Sequence, residues 1–176
     1  LKEIPMSTSV TYLFDPLCGW CYGASPALQQ LAHDASVSLT LAPTGLFSGG
    51  GRTMDAAFAE YAWSNDVRIA KLTGQRFTEA YRANVLGKPG SAFDSTTTTL
   101  ALCAVALTEP ARELEALKVL QEARYVLGLD TADVEVVAQQ LRDLGLAAAA
   151  ERLLTPDAAL HEAHATRVQA AQRLMR

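Results

Sequence analysis

The chain has 176 residues, which is enough for one ordinary domain or for a small domain that carries an insertion. Hydrophobic residues make up 49% and charged residues 19%, a balance typical of a globular protein. The net charge of −4, without a block of Lys and Arg, argues against nucleic acid as a partner. No apolar run approaches the roughly 20 residues that span a bilayer, which argues against a membrane partner. Because three cysteines are too few for a disulfide-stapled scaffold and Leu1–Ser9 lacks the apolar segment of a signal peptide, we expect a cytoplasmic protein. Separately, we expect Met6 to be its natural start.

The first elements of the chain form a strand–helix–strand unit. Ser9–Phe14 is rich in β-branched and aromatic residues and predicts a strand, which an Asp-Pro pair ends. A helical pattern runs from Cys18 to about His33, and Pro26 inside it predicts a kink. Val37–Ala42 predicts a second strand. Two strands joined through a helix by short links should be parallel, with a right-handed crossover.

Two cysteines open the helix of this unit. Cys18-Gly19-Trp20-Cys21 directly follows the first strand, and two cysteines delivered to the first turn of a helix are a dithiol redox arrangement. Unpaired N–H groups at a helix start favour a thiolate, so we expect a lowered pKa at Cys18, which would be the attacking sulfur. Cys21 lies one turn deeper, where it can attack a mixed disulfide on Cys18 and release the partner. Trp20 lies between two reachable thiols and predicts an exposed apolar platform for a substrate chain.

A glycine-rich loop follows the second strand, and the rest of the chain is helical. Gly45–Gly51 is not followed by Gly-Lys-Ser/Thr, so a tight turn or a close backbone approach is favoured over an anion site. Apolar periodicity and cap residues then predict a series of helices. They are Met54–Leu72, Thr78–Val85, Asp94 or Ser95 to Leu107, Thr108 or Glu109 to Gly128, Asp130 or Thr131 to Gly145, Ala147–Leu154, and Pro156 to Arg176 with Thr155 as its cap.

Three segments carry a family resemblance: Phe14–Gly23, Gly45–Phe47 and Phe93–Ser95. Together they resemble the FrnE-like, predicted protein disulfide isomerase branch of the DsbA family. The resemblance covers nearly the whole chain and implies an α/β, thioredoxin-like fold with a large all-helical insertion. It also implies thiol–disulfide exchange on protein or peptide thiols, without a dissociable cofactor. On this basis residues 1–53 are the thioredoxin-like βαβ part, residues 54–155 are a helical insertion, and residues 156–176 are a helix that returns to the first part.

The motif and the resemblance together indicate the candidate site residues. The catalytic pair is Cys18 and Cys21, supported by Asp15, Pro16, Gly19 and Trp20. The candidate substrate contacts are Trp20, Tyr22, Gly45, Leu46 and Phe47. For Tyr22 the favoured alternative is helix packing, and Asp15 is a turn residue first and a proton-handling group second. We also expect the helical insertion to cover the redox site as a lid and to set substrate choice.

The sequence departs from the superfamily pattern in two ways. Members place a cis-proline before a later strand and complete the sheet with a hairpin, yet no proline follows Pro156 here. We therefore expect a longer native protein that supplies strands after Arg176, or a homodimer that pairs strand edges. Thioredoxin also has a buried aspartate on the strand, and Tyr12 occupies that position here. Proton transfer at Cys21 then needs another group, and Asp15 is the nearest candidate in sequence.

Several alternatives remain. A structural zinc site would need ligands from Cys103, His33, His161 and His164, and because no second close cysteine pair exists we expect no metal. Cys103 lies in an apolar run and predicts a buried thiol, and His164 on an apolar stripe predicts a core or interface histidine. The alternative enzyme is a glutathione-using relative of the kappa-class transferases, which have serine in place of the first cysteine. The non-enzymatic alternative is a redox-sensing or chaperone-like binding protein.

Overall fold

The computed structural model describes residues 7–176, and our expectation about Met6 lies outside that range. It confirms the predicted pair of parallel strands, β1 (Thr8–Phe14) and β2 (Val37–Pro43). Their register matches Thr8 with Val37 and Phe14 with Pro43. Among the described residues, the sheet consists of these two strands. Each predicted strand boundary is correct to within one residue.

The crossover between the strands is helical but interrupted. It consists of α1 (Gly19–Gly23) and α2 (Ser25–His33), which meet at Ala24. Pro26 lies in the first turn of α2, where its missing N–H would have had no helical partner. The prediction of one kinked helix is therefore corrected to two consecutive helices, and the break precedes the proline.

Helices form most of the remaining described chain. They are α3 (Ala56–Thr73), α4 (Glu79–Tyr81) with a π-helical turn (Arg82–Leu86), α5 (Thr96–Thr108), a 3₁₀ turn (Pro110–Arg112) leading into α6 (Glu113–Tyr125), α7 (Val134–Asp143), α8 (Ala147–Leu154) and α9 (Ala158–Leu174). Within residues 7–176, no helix has both the length and the apolar character needed to cross a membrane.

Three predicted helix starts were wrong because a nearby aspartate caps the helix instead. Asp55 accepts the N–H of Phe58 at 2.8 Å, so α3 begins after it rather than at Met54. Asp133 accepts the N–H of Glu135 at 2.9 Å, so α7 begins after it rather than after Asp130 or Thr131. Asp157 accepts the N–H of Leu160 at 2.8 Å, so α9 begins after it rather than at Pro156. In each case the helix begins where a carboxylate satisfies an N–H that the first turn leaves unpaired.

The main core is built around α5. Residues 101–105 of this helix have no exposed surface. They belong to one cluster with Phe14 of β1 and with buried residues of α6, α7, α8 and α9. Cys103 is part of this cluster, as the sequence predicted, and Thr98 and Thr99 are buried in the first turn of α5. The strand and the helices thus share a core, and the division into three parts stays a prediction.

A second, largely aromatic cluster lies beside the start of α1. Its buried members are Leu17, Tyr22, Met54, Tyr81, Val85, Leu86, Phe93 and Tyr125. The Tyr125 ring stacks on Tyr22 with 4.8 Å between centroids and meets Tyr81 edge-on at 5.1 Å. The Tyr125 hydroxyl donates to the carbonyl of Leu17 at 2.8 Å. Residues from the predicted helical insertion (54–155) therefore contact the chain immediately before Cys18.

Candidate active site

A proline turn positions the first cysteine. The N–H of Cys18 donates to the carbonyl of Asp15 at 3.0 Å, which closes a four-residue turn after β1. Pro16 takes the second position of this turn, where its fixed φ is favoured. Cys18 is then the N-cap of α1. The Asp-Pro pair thus places the thiol between the end of a strand and the start of a helix, as the sequence predicted.

The Asp15 carboxylate ties three segments of the chain together. Its side chain is buried, and its Oδ1 accepts the N–H of Leu17 at 2.9 Å. Its Oδ2 accepts the N–H of Phe47 at 3.0 Å and the hydroxyl of Ser95 at 2.8 Å. Burial raises the pKa of Asp15, although these three hydrogen bonds favour the charged form. Asp15 therefore fixes the glycine-rich loop and the start of α5 next to the cysteines, a larger role than that of a turn residue.

The two cysteines differ in how readily they lose a proton. A hydrogen bond with the Cys21 side chain, aided by the backbone N–H groups of Cys21 and Trp20, lowers the pKa of Cys18 to about 7. Burial and the charge of Asp15 oppose this effect. The same bond to Cys18, together with burial, raises the pKa of Cys21. Near neutral pH the site therefore favours a thiolate at Cys18 and a thiol at Cys21.

Two glycines allow α3 to pack directly on α1. A Cβ on Gly19 would lie 2.8 Å from Oδ1 of Asp66 and 3.0 Å from the side chain of Ile69. A Cβ on Gly23 would lie 2.8 Å from the same Ile69 side chain. Contacts this short would force neighbouring atoms to move. The absence of a side chain at Gly19 therefore lets Asp66 lie next to the cysteines.

A cavity of about 420 Å³ opens beside Cys18. Its lining combines the start of α1 with aromatic rings and two arginines, and includes Trp20, Phe47, Phe58, Phe93, Arg52 and Arg124. The Arg52 guanidinium lies 3.8 Å from the centroid of the Phe58 ring. A space of this size, mostly apolar but with a few charged groups, suits a small thiol or one side chain of a peptide.

The structure brings some of the predicted substrate contacts to this cavity. Trp20 lines it with 47% of its surface exposed, and the Arg68 guanidinium lies 5.9 Å from its ring centroid. Phe47 also lines the cavity and packs against Phe93, with ring centroids 5.0 Å apart. Both residues are therefore placed where a molecule approaching Cys18 would contact them.

Three other predicted contacts lie elsewhere. Tyr22 is buried behind the cysteines, and its hydroxyl donates to the carbonyl of Arg76 at 2.9 Å, which corresponds to the packing alternative. Leu46 is exposed but does not line the cavity. Gly45 has a φ of 64° and lies against Val168, so its role is to turn the loop. Gly49 and Gly51 have φ values of 71° and 66°, which confirms the tight-turn interpretation of the glycine-rich loop.

Sequence reasoning gave no role to Tyr12, whose hydroxyl contacts Cys21. The Tyr12 hydroxyl donates to the carbonyl of Cys21 at 3.3 Å. It lies close enough to the Cys21 side chain to donate there instead, and that bond lowers the pKa of Cys21 against the larger effects of Cys18 and burial. Burial raises the pKa of Tyr12 itself, so the hydroxyl keeps its proton and remains a donor. The only sequence signal was that Tyr12 replaces the aspartate of thioredoxin. Asp66 and Arg124 gave no signal, because their place in the cavity depends on how α3 and α6 pack.

We expect Tyr12→Phe to slow the step in which Cys21 resolves a mixed disulfide on Cys18, by about three- to tenfold. Loss of the hydroxyl removes a donor that stabilises the Cys21 thiolate, so the pKa of Cys21 should rise further. The measurement is the rate of release of a thiol from a preformed Cys18 mixed disulfide, followed against pH. Thr11→Val, which removes an exposed hydroxyl from the neighbouring position of β1, is the control. Equal rates for the two variants would contradict this role of Tyr12.

The residues considered as zinc ligands are dispersed. Cys103 is buried in α5, His33 is exposed at the end of α2, and His161 and His164 lie on α9. Burial lowers the pKa of His164, which is partly buried, and its predicted place in a core or an interface stays a prediction. In the part of the chain that the structure describes, no three His, Cys, Asp or Glu side chains come together as metal ligands would.

Comparisons with known proteins give structural matches. No protein-family model matches the chain, and no curated protein matches it. The cytosolic disulfide reductase DsbM from Pseudomonas aeruginosa is 32% identical, with a TM-score of 0.85 over 96% of this chain and 78% of that chain. The structure of DsbM with GSH gives 30% identity and a TM-score of 0.82 over 96% of this chain and 81% of that one. A structure from Nitrosomonas europaea, provisionally named a protein disulfide isomerase, is 20% identical and has a TM-score of 0.82 over 96% of this chain and 80% of that one.

Proposed function

Because this chain belongs to the DsbA family of thioredoxin-like proteins, we propose that its CGWC dithiol reduces protein and peptide disulfides in the cytoplasm and is regenerated by glutathione. The chain is a thiol–disulfide oxidoreductase. The observation that carries the proposal is the Cys18 thiol, whose pKa is lowered to about 7 and which faces the cavity. The similarity to a cytosolic disulfide reductase supports the location and the direction, and the glutathione complex of that protein supports the reductant.

The proposed reaction exchanges disulfides in four steps. The Cys18 thiolate attacks a substrate disulfide, forms a mixed disulfide and releases one substrate thiolate, which takes a proton from water. Cys21 loses its proton, attacks the Cys18 sulfur and releases the second substrate thiol, leaving the Cys18–Cys21 disulfide. A glutathione thiolate then attacks Cys18 and frees Cys21. A second glutathione attacks the glutathione sulfur, so that oxidised glutathione leaves and two electrons have passed to the substrate.

The acidity of Cys18 supports reduction rather than oxidation of substrates. A lower thiolate pKa stabilises the reduced dithiol and makes the disulfide a stronger oxidant. The nucleophilic cysteine has a pKa of about 7 in thioredoxin, a reductant, and of about 3.5 in DsbA, a strong oxidant. Cys18, with a pKa of about 7, resembles the reductant. The isomerase activity that the sequence suggested stays a prediction.

The surroundings of Cys18 support a polypeptide substrate. Trp20 presents a large exposed ring beside the thiol, and the cavity offers further aromatic surface from Phe47 and Phe58. Extended apolar surface next to a reactive group is how unfolded or flexible chains are held without sequence specificity. Because α3 supplies part of the cavity wall, the prediction that the helical insertion sets substrate choice remains part of this proposal.

The test is reduction of insulin by catalytic amounts of the protein, with glutathione as reductant and glutathione reductase and NADPH as the readout. We expect NADPH consumption that depends on the protein, and Cys103→Ala, which changes a buried thiol of the core, should retain it. Fast oxidation of reduced peptides by the disulfide form, without glutathione-driven turnover, would instead make the protein an oxidase. Conjugation of glutathione to chlorodinitrobenzene, in preference to disulfide reduction, would favour the kappa-class alternative. Suppression of aggregation without any thiol dependence would favour the chaperone-like alternative.

A further inference from the structure

The cavity beside Cys18 contains a buried cation that is not bonded to any carboxylate among residues 7–176. Arg124 of α6 is 4% exposed and lines the cavity, and its Nε has no hydrogen-bond partner among the described residues. Its guanidinium lies over the rings of Phe93, Tyr125 and Tyr81, at 5.4, 5.6 and 5.7 Å from their centroids. The aromatic faces offset part of the cost of burying the charge. They do not replace the hydrogen bonds that a guanidinium makes with a carboxylate.

The same cavity contains a buried anion. Asp66 of α3 is 5% exposed and lines the cavity, and its Oδ2 accepts the hydroxyl of Tyr81 at 2.6 Å. Burial raises the pKa of Asp66 to about 6, against the opposing effects of Tyr81 and Arg124, so the carboxyl is mostly ionised at neutral pH. The ion pairs found among residues 7–176 include neither Asp66 nor Arg124. The two charges therefore share one cavity without bonding to each other.

We propose that Arg124 and Asp66 bind the α-amino acid end of a γ-glutamyl group, with Arg124 facing its carboxylate and Asp66 facing its ammonium, while the thiol of the same molecule reacts at Cys18. A free amino acid group carries both charges on one carbon, which matches a separate cation and anion in one cavity. An internal peptide segment carries neither charge, so it does not compete for these side chains. The inference rests on the proposed function, because it takes glutathione as the reducing thiol.

This arrangement gives the second half of the reaction its own binding site. When glutathione attacks the Cys18–Cys21 disulfide, the new bond joins its sulfur to Cys18 and the electron pair leaves on Cys21. The glutathione part of this mixed disulfide would then be held by its γ-glutamyl end beside Cys18. A second glutathione attacks its sulfur, and the departing electron pair restores the Cys18 thiolate. The site therefore discriminates glutathione from other small thiols without affecting how the protein substrate first meets Cys18.

The first test compares three thiols on the wild-type protein, with rates expressed per thiolate. Glutathione carries both charges of the γ-glutamyl end, N-acetylglutathione lacks the ammonium, and cysteinylglycine lacks the whole group. We expect glutathione to reduce the Cys18–Cys21 disulfide at least about tenfold faster than either of the others at low thiol concentration. This comparison needs no variant and is independent of whether a variant folds.

The second test assigns the preference to the two residues. Asp66→Asn keeps an acceptor for Tyr81 and should remove the preference for glutathione over N-acetylglutathione. Arg124→Gln should raise the KM for glutathione by about tenfold. Arg82→Gln is the matched control, because Arg82 also lies over an aromatic ring, 4.8 Å from the centroid of Trp63, but does not line this cavity. We expect this control to keep the wild-type KM and the wild-type preference.

The outcomes separate this inference from the proposed function. Equal reactivity of the three thiols during efficient glutathione-driven reduction of insulin would overturn the γ-glutamyl site and leave the function standing. S-methylglutathione cannot exchange disulfides. If it binds the wild-type protein and binds more weakly to Asp66→Asn and Arg124→Gln, the γ-glutamyl site is supported even without turnover. If S-methylglutathione does not bind and glutathione does not drive turnover, the γ-glutamyl site and the proposed function are both wrong.

Discussion

Replacing Cys18 by serine should lower disulfide reduction by about a thousandfold or more, because a serine hydroxyl is hardly ionised at neutral pH and cannot form a disulfide. In the wild-type protein the pKa of Cys18 is about 7, so about half of the molecules carry the thiolate at that pH. The measurement is the insulin assay with glutathione, together with a circular dichroism spectrum to show that the variant folds. The matched control is Cys103→Ser, which makes the same substitution in the buried core. Retention of most activity in Cys18→Ser would contradict the assignment.

Cys21→Ser should have a different effect from Cys18→Ser. Without Cys21 the mixed disulfide on Cys18 cannot be resolved internally, so a stable adduct with the substrate should accumulate and be visible by mass spectrometry. In the reduced wild-type protein, a limiting amount of iodoacetamide should label Cys18 before Cys21 and Cys103. The labelling rate should rise with pH and reach half its maximum at about pH 7. Preferential labelling of Cys21 would reverse the roles of the two cysteines.

The strand–helix–strand unit and the location of the CxxC could be predicted because their signals are local. The β-branched and aromatic residues of Ser9–Phe14 identify a strand from a few neighbouring residues, and the spacing of two cysteines needs no knowledge of the rest of the chain. Helix starts were less certain, because suitable cap residues often occur at several neighbouring positions and a local signal does not choose between them. Near the start of α9, Thr155 and Asp157 are both good caps, and local preference alone cannot decide between them.

The cavity could not be predicted, because it depends on contacts between distant residues. Asp66 reaches Gly19 only because α3 packs against α1, and Tyr81, which donates to Asp66, lies 15 residues further along the chain. Arg124 has the sequence environment of an exposed helical arginine, and only the fold buries it under three aromatic rings. Tyr12 was noticed as a replacement for an acid, but its distance to Cys21 was not available from the sequence. The residues that give a common dithiol motif its particular chemistry are thus those whose place is set by tertiary packing.

Replacing Asp15 by alanine should lower the free energy of unfolding by about 3 kcal/mol and should also slow catalysis. The carboxylate accepts three hydrogen bonds, from groups that are 2, 32 and 80 residues away in the chain. Its removal leaves the N–H groups of Leu17 and Phe47 without their acceptor at a buried site, and an unpaired buried donor loses its hydration without compensation. The Phe47 ring, which lines the cavity, should then lose its fixed position. The measurements are urea unfolding of the reduced protein and the insulin assay on the fraction that remains folded.

Asp15→Asn separates the hydrogen bonds from the charge. The amide keeps one oxygen, which can still accept one of the two backbone N–H groups, while its NH₂ can donate to the Ser95 hydroxyl. We therefore expect a loss of about 1–2 kcal/mol, intermediate between wild type and Asp15→Ala. Asp34→Ala is the control, because Asp34 also accepts a backbone N–H two residues ahead but lies on the surface, and it should lose much less stability. If Asp15→Ala were as stable as Asp34→Ala, the carboxylate would not be what holds the glycine-rich loop and α5 against the cysteines. If instead both Asp15 variants kept full activity despite lower stability, the position of Phe47 would not matter for the reaction.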